Sequence, residues 1–305
     1  MFASAELRSL PRTSKSPRNE RCGKECSREV AEFLKNELNR NSAVRLRSLG
    51  ALCGEIHLSG VVGGSVTDAR SGTIRAVLLD LGGPVLDEAA EYKSWEAFLV
   101  GALQAEGIPA DAVAFAREVR AAIARCDPNA HLAAVWNFVR PDVDRFSRIC
   151  NAFREHRRAF TADPRRVCVR PEAKEIIPAL AAQYALGIAA NQPITVLALL
   201  EEAGLLGHFR WQHVSEGMGI AKPAPLFFQM ILDGLGVEPK EAVMVGDRLD
   251  FDVFPAGLVG MKTVRVLVGP YAEQAPVSDL HVPNQTIHTL NELPTALHGL
   301  SREPV

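Results

Sequence analysis

No apolar run in the chain approaches the roughly 18–20 residues that a membrane-spanning helix needs, and the N-terminus lacks the apolar stretch of a secretory signal. Neither sign of charge prevails. With 34 Lys and Arg against 36 Asp and Glu, the formal net of −2 provides no basic field to recruit nucleic acid or an anionic membrane. The six cysteines (Cys22, Cys26, Cys53, Cys126, Cys150 and Cys168) are scattered through 305 residues, which fits reduced thiols and not a disulfide framework. Cys22 and Cys26 form a CxxxC, but no second pair or nearby histidine completes four zinc ligands. What these absences leave is a cytoplasmic globular protein, and 47% hydrophobic residues are ample for its core.

Residues 1–73 read differently from the rest. They carry a net charge of +4, against −6 for residues 74–305, and their opening is rich in Ser, Arg and Pro without apolar periodicity. Such a segment buries too little apolar surface to offset the entropy of ordering, so it is expected to be largely disordered. Within it, Val30, Phe33, Leu34 and Leu38 recur at helical spacing and predict a short helix over Cys26–Asn39, and the glycine-rich stretch from Gly60 to Gly72 reads as a linker.

From Thr73 onward, apolar runs alternate with helical patterns. Strands are expected at Ile74–Leu79, Tyr184–Ala190, Phe209–Val214, Ala242–Val245 and Lys262–Leu267, with helices such as Lys174–Gln183 and Leu226–Leu235 between them. Near-continuous apolar strands are those of a sheet covered on both faces. The pattern is that of a doubly wound α/β fold with a parallel sheet. Between the first two strands the reading is wholly helical, which makes residues 88–170 an inserted helical cap on a core formed by 74–87 and 171–305.

In open parallel sheets, ligands bind beyond the carboxyl ends of the strands. Strand one delivers Asp80 there, strand two Asn191 and strand four Asp247, and Lys222 precedes a helix expected to begin at Pro223. Two carboxylates, an ammonium and an amide thus line one edge.

These residues resemble the motifs of the haloacid dehalogenase superfamily. DLGGPV from Asp80 is similar to its first motif, LGIAANQP from Leu186 to its second, Lys222-Pro223 within GIAKPAPLFF to its third, and VGDRLDFD from Val245 to its fourth, GDxxxxD. The resemblance covers about residues 74–295, and the helical insertion after the first motif matches the family's helical-cap subgroup. It implies a Rossmann-like core and a Mg²⁺-dependent phosphatase acting on a small phosphorylated molecule. Asp80 would be the nucleophile that forms an aspartyl-phosphate. Asp80, the Gly82 carbonyl and Asp247 would bind the ion, Asp252 would orient that shell, and Lys222 would stabilise the attacked group. Gly83, through the N–H groups of its turn, and Asn191 would contact the phosphoryl oxygens.

Three departures stand beside the match. The family's phosphatases carry a second aspartate two places after the nucleophile as general acid and base, and here that place is Gly82. Such catalysis is typically worth about 10²–10⁴ in rate, so slow turnover of poor leaving groups follows unless water or a cap residue compensates. Ala190 replaces a hydroxyl residue of the second motif, and Pro84 withdraws an N–H from the first. A 2-haloacid dehalogenase and a catalytically weak, phosphate-binding protein are therefore alternatives. Retention of Asp247 argues against the first, and the absence of any lysine from Ser94 to Ala173 argues against a Schiff-base phosphonate hydrolase.

Blander readings exist for several positions. Asp250 and Asp252 suit a helix N-cap ahead of Pro255, Asn191 suits an Asx-turn, and Asp87 suits a polar loop. In the cap, Trp95, Trp136, Arg140 and Arg145 are pocket candidates weighed against ordinary packing.

Overall fold

We describe a computed structural model of the chain over residues 73–161 and 167–301. The expected helix at 26–39, the linker and the CxxxC lie outside the described residues.

The centre is a sheet of six strands, all paired in parallel: β1 (Ala76–Leu79), β4 (Ala185–Ile188), β5 (Phe209–Trp211), β6 (Ala242–Gly246), β7 (Lys262–Val266) and β8 (Gln285–Ile287), in the order β5-β4-β1-β6-β7-β8. β1 lies between β4 and β6, with Leu79 aligned on both Ile188 and Val245, so three strand ends open side by side. Successive side chains of β1 leave on opposite faces. Val77 and Leu79 pack with Val243, Val245, Ile177 and Leu180, while Ala76 and Leu78 pack with Met244, Phe227, Phe228 and Ile231. The first face is covered by α5 (Pro171–Ala181), α6 (Val196–Glu202) and α9 (Leu293–Leu300), the second by α7 (Pro225–Leu235) and α8 (Phe254–Val259). Each fully buried Leu or Phe here is worth about 1.5–3 kcal/mol relative to exposure.

Between Asp87 and Cys168 stand four helices: α1 (Ala89–Ala105), α2 (Ala112–Ala124), α3 (Ala130–Val139) and α4 (Val143–Thr161). They bury a core of their own around Leu99, Leu103, Phe115, Val119, Val135 and Phe153. Asp111 caps α2 by accepting the Ala114 N–H at 2.8 Å. The chain enters and leaves this block through a two-residue antiparallel pair, β2 (Leu86–Asp87) with β3 (Cys168–Val169). Tyr271, from the loop after β7, packs into the helical core, and Gln274 of the same loop reaches the carbonyl of Ile123 at 3.4 Å.

Three expectations need correction. The region 88–170 is not wholly helical, because β3 falls inside it; two residues are too few for a periodicity signal. The helix after Lys222 begins at Pro225, not Pro223, since residues 221–224 first close a turn through the Ala224 N–H and the Ala221 carbonyl. β5 stops at Trp211, and the edge strand β8, a mixed Gln-Thr-Ile triplet, was not anticipated. Among the described residues no helix is long and apolar enough to cross a membrane.

Candidate active site

Asp80 follows β1 directly, its N–H donating to the Val245 carbonyl at 2.8 Å, so the backbone pairing carries on one residue past the strand and aims the side chain over the sheet edge. Asp247 follows β6, and Asp252 closes a π-helical turn at Leu249–Val253. One oxygen from each of Asp80, Asp247 and Asp252 lies within 4.8 Å of the others. Lys222 joins them: its Nζ stands 2.6 Å from Asp252 Oδ1 and 3.1 Å from Asp80 Oδ1. All four are buried, Asp252 completely. The close quarters are possible because position 246 has no side chain; a Cβ on Gly246 would sit 2.3 Å from Asp252 Cγ.

Crowding four charges away from water has predictable electrostatic effects. Burial is the main force on the Asp80 carboxyl and, with repulsion from Asp252, outweighs the attraction of Lys222, pushing it up to about 6. Burial and the neighbouring Asp252 and Asp80 push Asp247 well above the carboxylate range. For Lys222, burial favours the neutral amine, but the carboxylates of Asp252 and Asp80 overcome it and hold the ammonium charged. Ionising all three carboxylates against one ammonium would leave two negative charges, the deficit that one divalent cation would fill. The donors are hard oxygens, the class Mg²⁺ prefers. The cluster therefore fits such an ion.

A cavity of about 440 Å³ lies over this cluster, walled by Asp80, Gly82, Asn191, Lys222 and Asp247 from the sheet side and by Tyr92, Trp95 and Arg157 from the helical block. Gly82 lines the same cavity as Asp80 and Asp247. Asn191 lines the cavity, and both ends of its amide also bond the backbone of Lys222, Oδ1 accepting its N–H at 2.8 Å and Nδ2 donating to its carbonyl at 2.9 Å, so it holds the lysine in place. The contacts of Gly83 differ from expectation. The Gly83 N–H donates to the Leu86 carbonyl at 3.0 Å and its own carbonyl accepts Arg170 Nε at 2.6 Å, so its amide is not available to a phosphoryl oxygen. Its φ of +84° is what lets the turn fold back this tightly.

Asp252 does not cap a helix; its second oxygen accepts the Arg248 N–H at 3.0 Å. Asp250 grips the Arg248 guanidinium, and that group lies between the rings of Phe251 (3.8 Å) and Tyr271 (4.2 Å). Asp87 accepts the Ala89 N–H at the start of α1. Of the cap candidates, Trp95 lines the cavity, Trp136 packs on Phe146, Arg140 is exposed, and Arg145 pairs with Glu106 and Asp142.

Sequence reasoning missed Glu88, Gln192, Arg248 and Tyr271, all of them at the cavity. Gln192 Nε2 donates to Glu88 Oε1 at 2.7 Å. Burial, with the charges of Glu91 and Asp80, pushes the Glu88 carboxyl up to about 7.

Comparison with known proteins places this arrangement. Residues 74–260 match the family described as haloacid dehalogenase-like hydrolase, more than half of the chain, and the chain belongs to that family. It is thus a hydrolase, built on an α/β core with a parallel sheet. It is 33% identical over 174 residues to a glyceraldehyde 3-phosphate phosphatase of Methanopyrus kandleri, which is 48% of this chain and 75% of that one. It is 39% identical over 132 residues to a phosphoserine phosphatase of Thermus thermophilus, 42% of this chain and 53% of that one. Among solved structures, a HAD phosphatase from Thermococcus onnurineus superposes with a TM-score of 0.50 at 25% identity, covering 74% of this chain and 99% of its own.

Proposed function

We propose that the protein is a Mg²⁺-dependent phosphatase that cleaves a small phosphate ester or anhydride through a covalent aspartyl-phosphate on Asp80. The observation that carries this reading is the cluster of three carboxylates and one ammonium gathered at the ends of β1 and β6 against a cavity. Relatives named for phosphorylated small molecules support the substrate class.

Asp80, Asp247 and the Gly82 carbonyl would hold the ion, which when bound supplies the positive charge that lets an anionic nucleophile meet an anionic phosphoryl group. The rest is done by side chains. One oxygen of Asp80 attacks phosphorus, the bond to the leaving oxygen breaks, and water later cleaves the acyl phosphate. Lys222, 3.1 Å from Asp80, neutralises charge on the transferring group without reorganising, because Asp252 and the Asn191 amide fix both its ends. The helical block contributes Tyr92, Trp95 and Arg157 to the wall above these groups. A 2-haloacid dehalogenase would have little use for a site that is two charges short of neutral.

Release of phosphate from an aryl phosphate should require Mg²⁺, stop on chelation, and be lost in Asp80→Asn. No turnover across a broad panel of phosphate esters and anhydrides would refute the proposal.

A further inference from the structure

We infer that Glu88 performs the proton transfers for which this chain has no side chain at position 82. The inference rests on the phosphatase reading above and adds a residue to it.

The geometry is specific. A Cβ placed on Gly82 would lie 2.6 Å from Glu88 Oε2 and 2.9 Å from both its Cδ and Oε1, and these are the three atoms nearest to it. The carboxyl group of Glu88 therefore fills the volume in which a side chain at 82 would begin. The chain brings it there by the tight return after β1: Leu81 accepts the N–H groups of Val85 and Leu86 at 3.0 and 2.8 Å, and Glu88 stands at the start of α1 immediately beyond β2. Once there it is held. Gln192 Nε2 donates to Oε1 at 2.7 Å, and Tyr92, one helical turn on, points its hydroxyl at Oε2 from 3.4 Å. Gln192 comes from the loop after β4, so two strand ends and the first cap helix converge on this one carboxyl. The nearby Asp87 is not a competitor, since its carboxylate caps α1 and faces Arg170.

In the first half-reaction an Asp80 oxygen bonds to phosphorus, the bond from phosphorus to the leaving oxygen breaks, and the proton on Glu88 passes to that oxygen, which departs as an alcohol. In the second, the Glu88 carboxylate takes a proton from water as the water oxygen bonds to phosphorus. The bond from phosphorus to Asp80 then breaks, phosphate leaves, and both carboxyls return to their starting states. The Gly82 departure is thus a relocation of the acid and not its loss.

The test compares 4-nitrophenyl phosphate, whose leaving group needs no proton, with phenyl phosphate, whose leaving group does, under saturating Mg²⁺. Glu88→Gln should slow phenyl phosphate by about 10²–10⁴ while slowing the nitrophenol burst by less than about tenfold on the same basis. Gly82→Asp alone should gain nothing, because its Cβ meets the Glu88 carboxyl. The double variant Gly82→Asp with Glu88→Ala should recover phenyl phosphate turnover at least tenfold over Glu88→Ala, and it keeps the question open to test even if one single variant folds poorly. An intact Mg²⁺-dependent burst with both substrates slowed equally, or neither slowed, by Glu88→Gln would overturn this inference and leave the phosphatase reading standing. Absence of any burst in the wild type would overturn both.

Discussion

Replacing the proposed nucleophile should make the metal-free protein more stable while abolishing its activity. Asp80 is 8% exposed, and its carboxyl is held at about 6 in the fold against an ordinary 3.8. A carboxyl raised in this way binds more protons folded than unfolded, so its contribution to stability is fully present below about pH 4 and is lost as pH rises through about 6. The penalty at pH 8 is about two pH units at ~1.4 kcal/mol each, or about 3 kcal/mol; at pH 4.5 it is only about 1 kcal/mol. Asparagine has the shape of the protonated acid and cannot ionise. Asp80→Asn should therefore melt roughly 6–12 °C above the wild type at pH 8 in a chelator, at about 2–4 °C per kcal/mol for a domain of this size, and the gap should shrink at least twofold at pH 4.5. Adding Mg²⁺ at pH 8 should raise the wild type and leave the variant nearly unmoved. A variant that melts below the wild type at pH 8, or a gap that does not change with pH, would refute the electrostatic reasoning.

Lys222→Met removes the one ammonium in contact with Asp80 and Asp252 and leaves uncompensated buried charge, which costs about 3–5 kcal/mol; urea denaturation should show the loss at pH 8 and a smaller one at pH 5, below the value of about 6 at which Asp80 takes up its proton. Asn191→Ala deletes two hydrogen bonds to the Lys222 backbone and should lower stability by about 1–3 kcal/mol and kcat at least tenfold, as expected of a residue that positions the lysine. Gly246→Ala forces Asp252 away from Lys222 and should cost both stability and activity, read from thermal melts and steady-state rates. Leu103→Ala, deep in the helical core, should cost about 2–5 kcal/mol with kcat per folded molecule preserved.

The strand ends were legible because the chemistry and the local structure coincide there. A carboxylate closing an apolar strand, as at Asp80 and Asp247, has no packing reason to exist, and with Asn191 and Lys222 these make four signals in chain order that mark one sheet edge. The cap was legible as a helical run but its joint was not, since β2 and β3 are two residues each and exist only as a pair. Side-chain direction was the main loss. Asn191 sits where the motif places it, yet its amide turns to the Lys222 peptide, which lies 31 residues away in sequence and adjacent only in the fold. Glu88 was passed over because nothing in the spacing of eight residues from Asp80 tells that the chain doubles back to set its carboxyl against Gly82. Read linearly, Gly82 is a vacancy; in space the position is filled.

The central claim is a covalent bond between Asp80 and phosphorus. Rapid acid quench of the enzyme mixed with 4-nitrophenyl phosphate and Mg²⁺, followed by peptide mapping by mass spectrometry, tests it directly. A phosphoryl adduct should appear on the peptide containing Asp80 within a single turnover and be absent from Asp80→Asn. Phosphate release without any adduct, or turnover that survives the substitution, would contradict it.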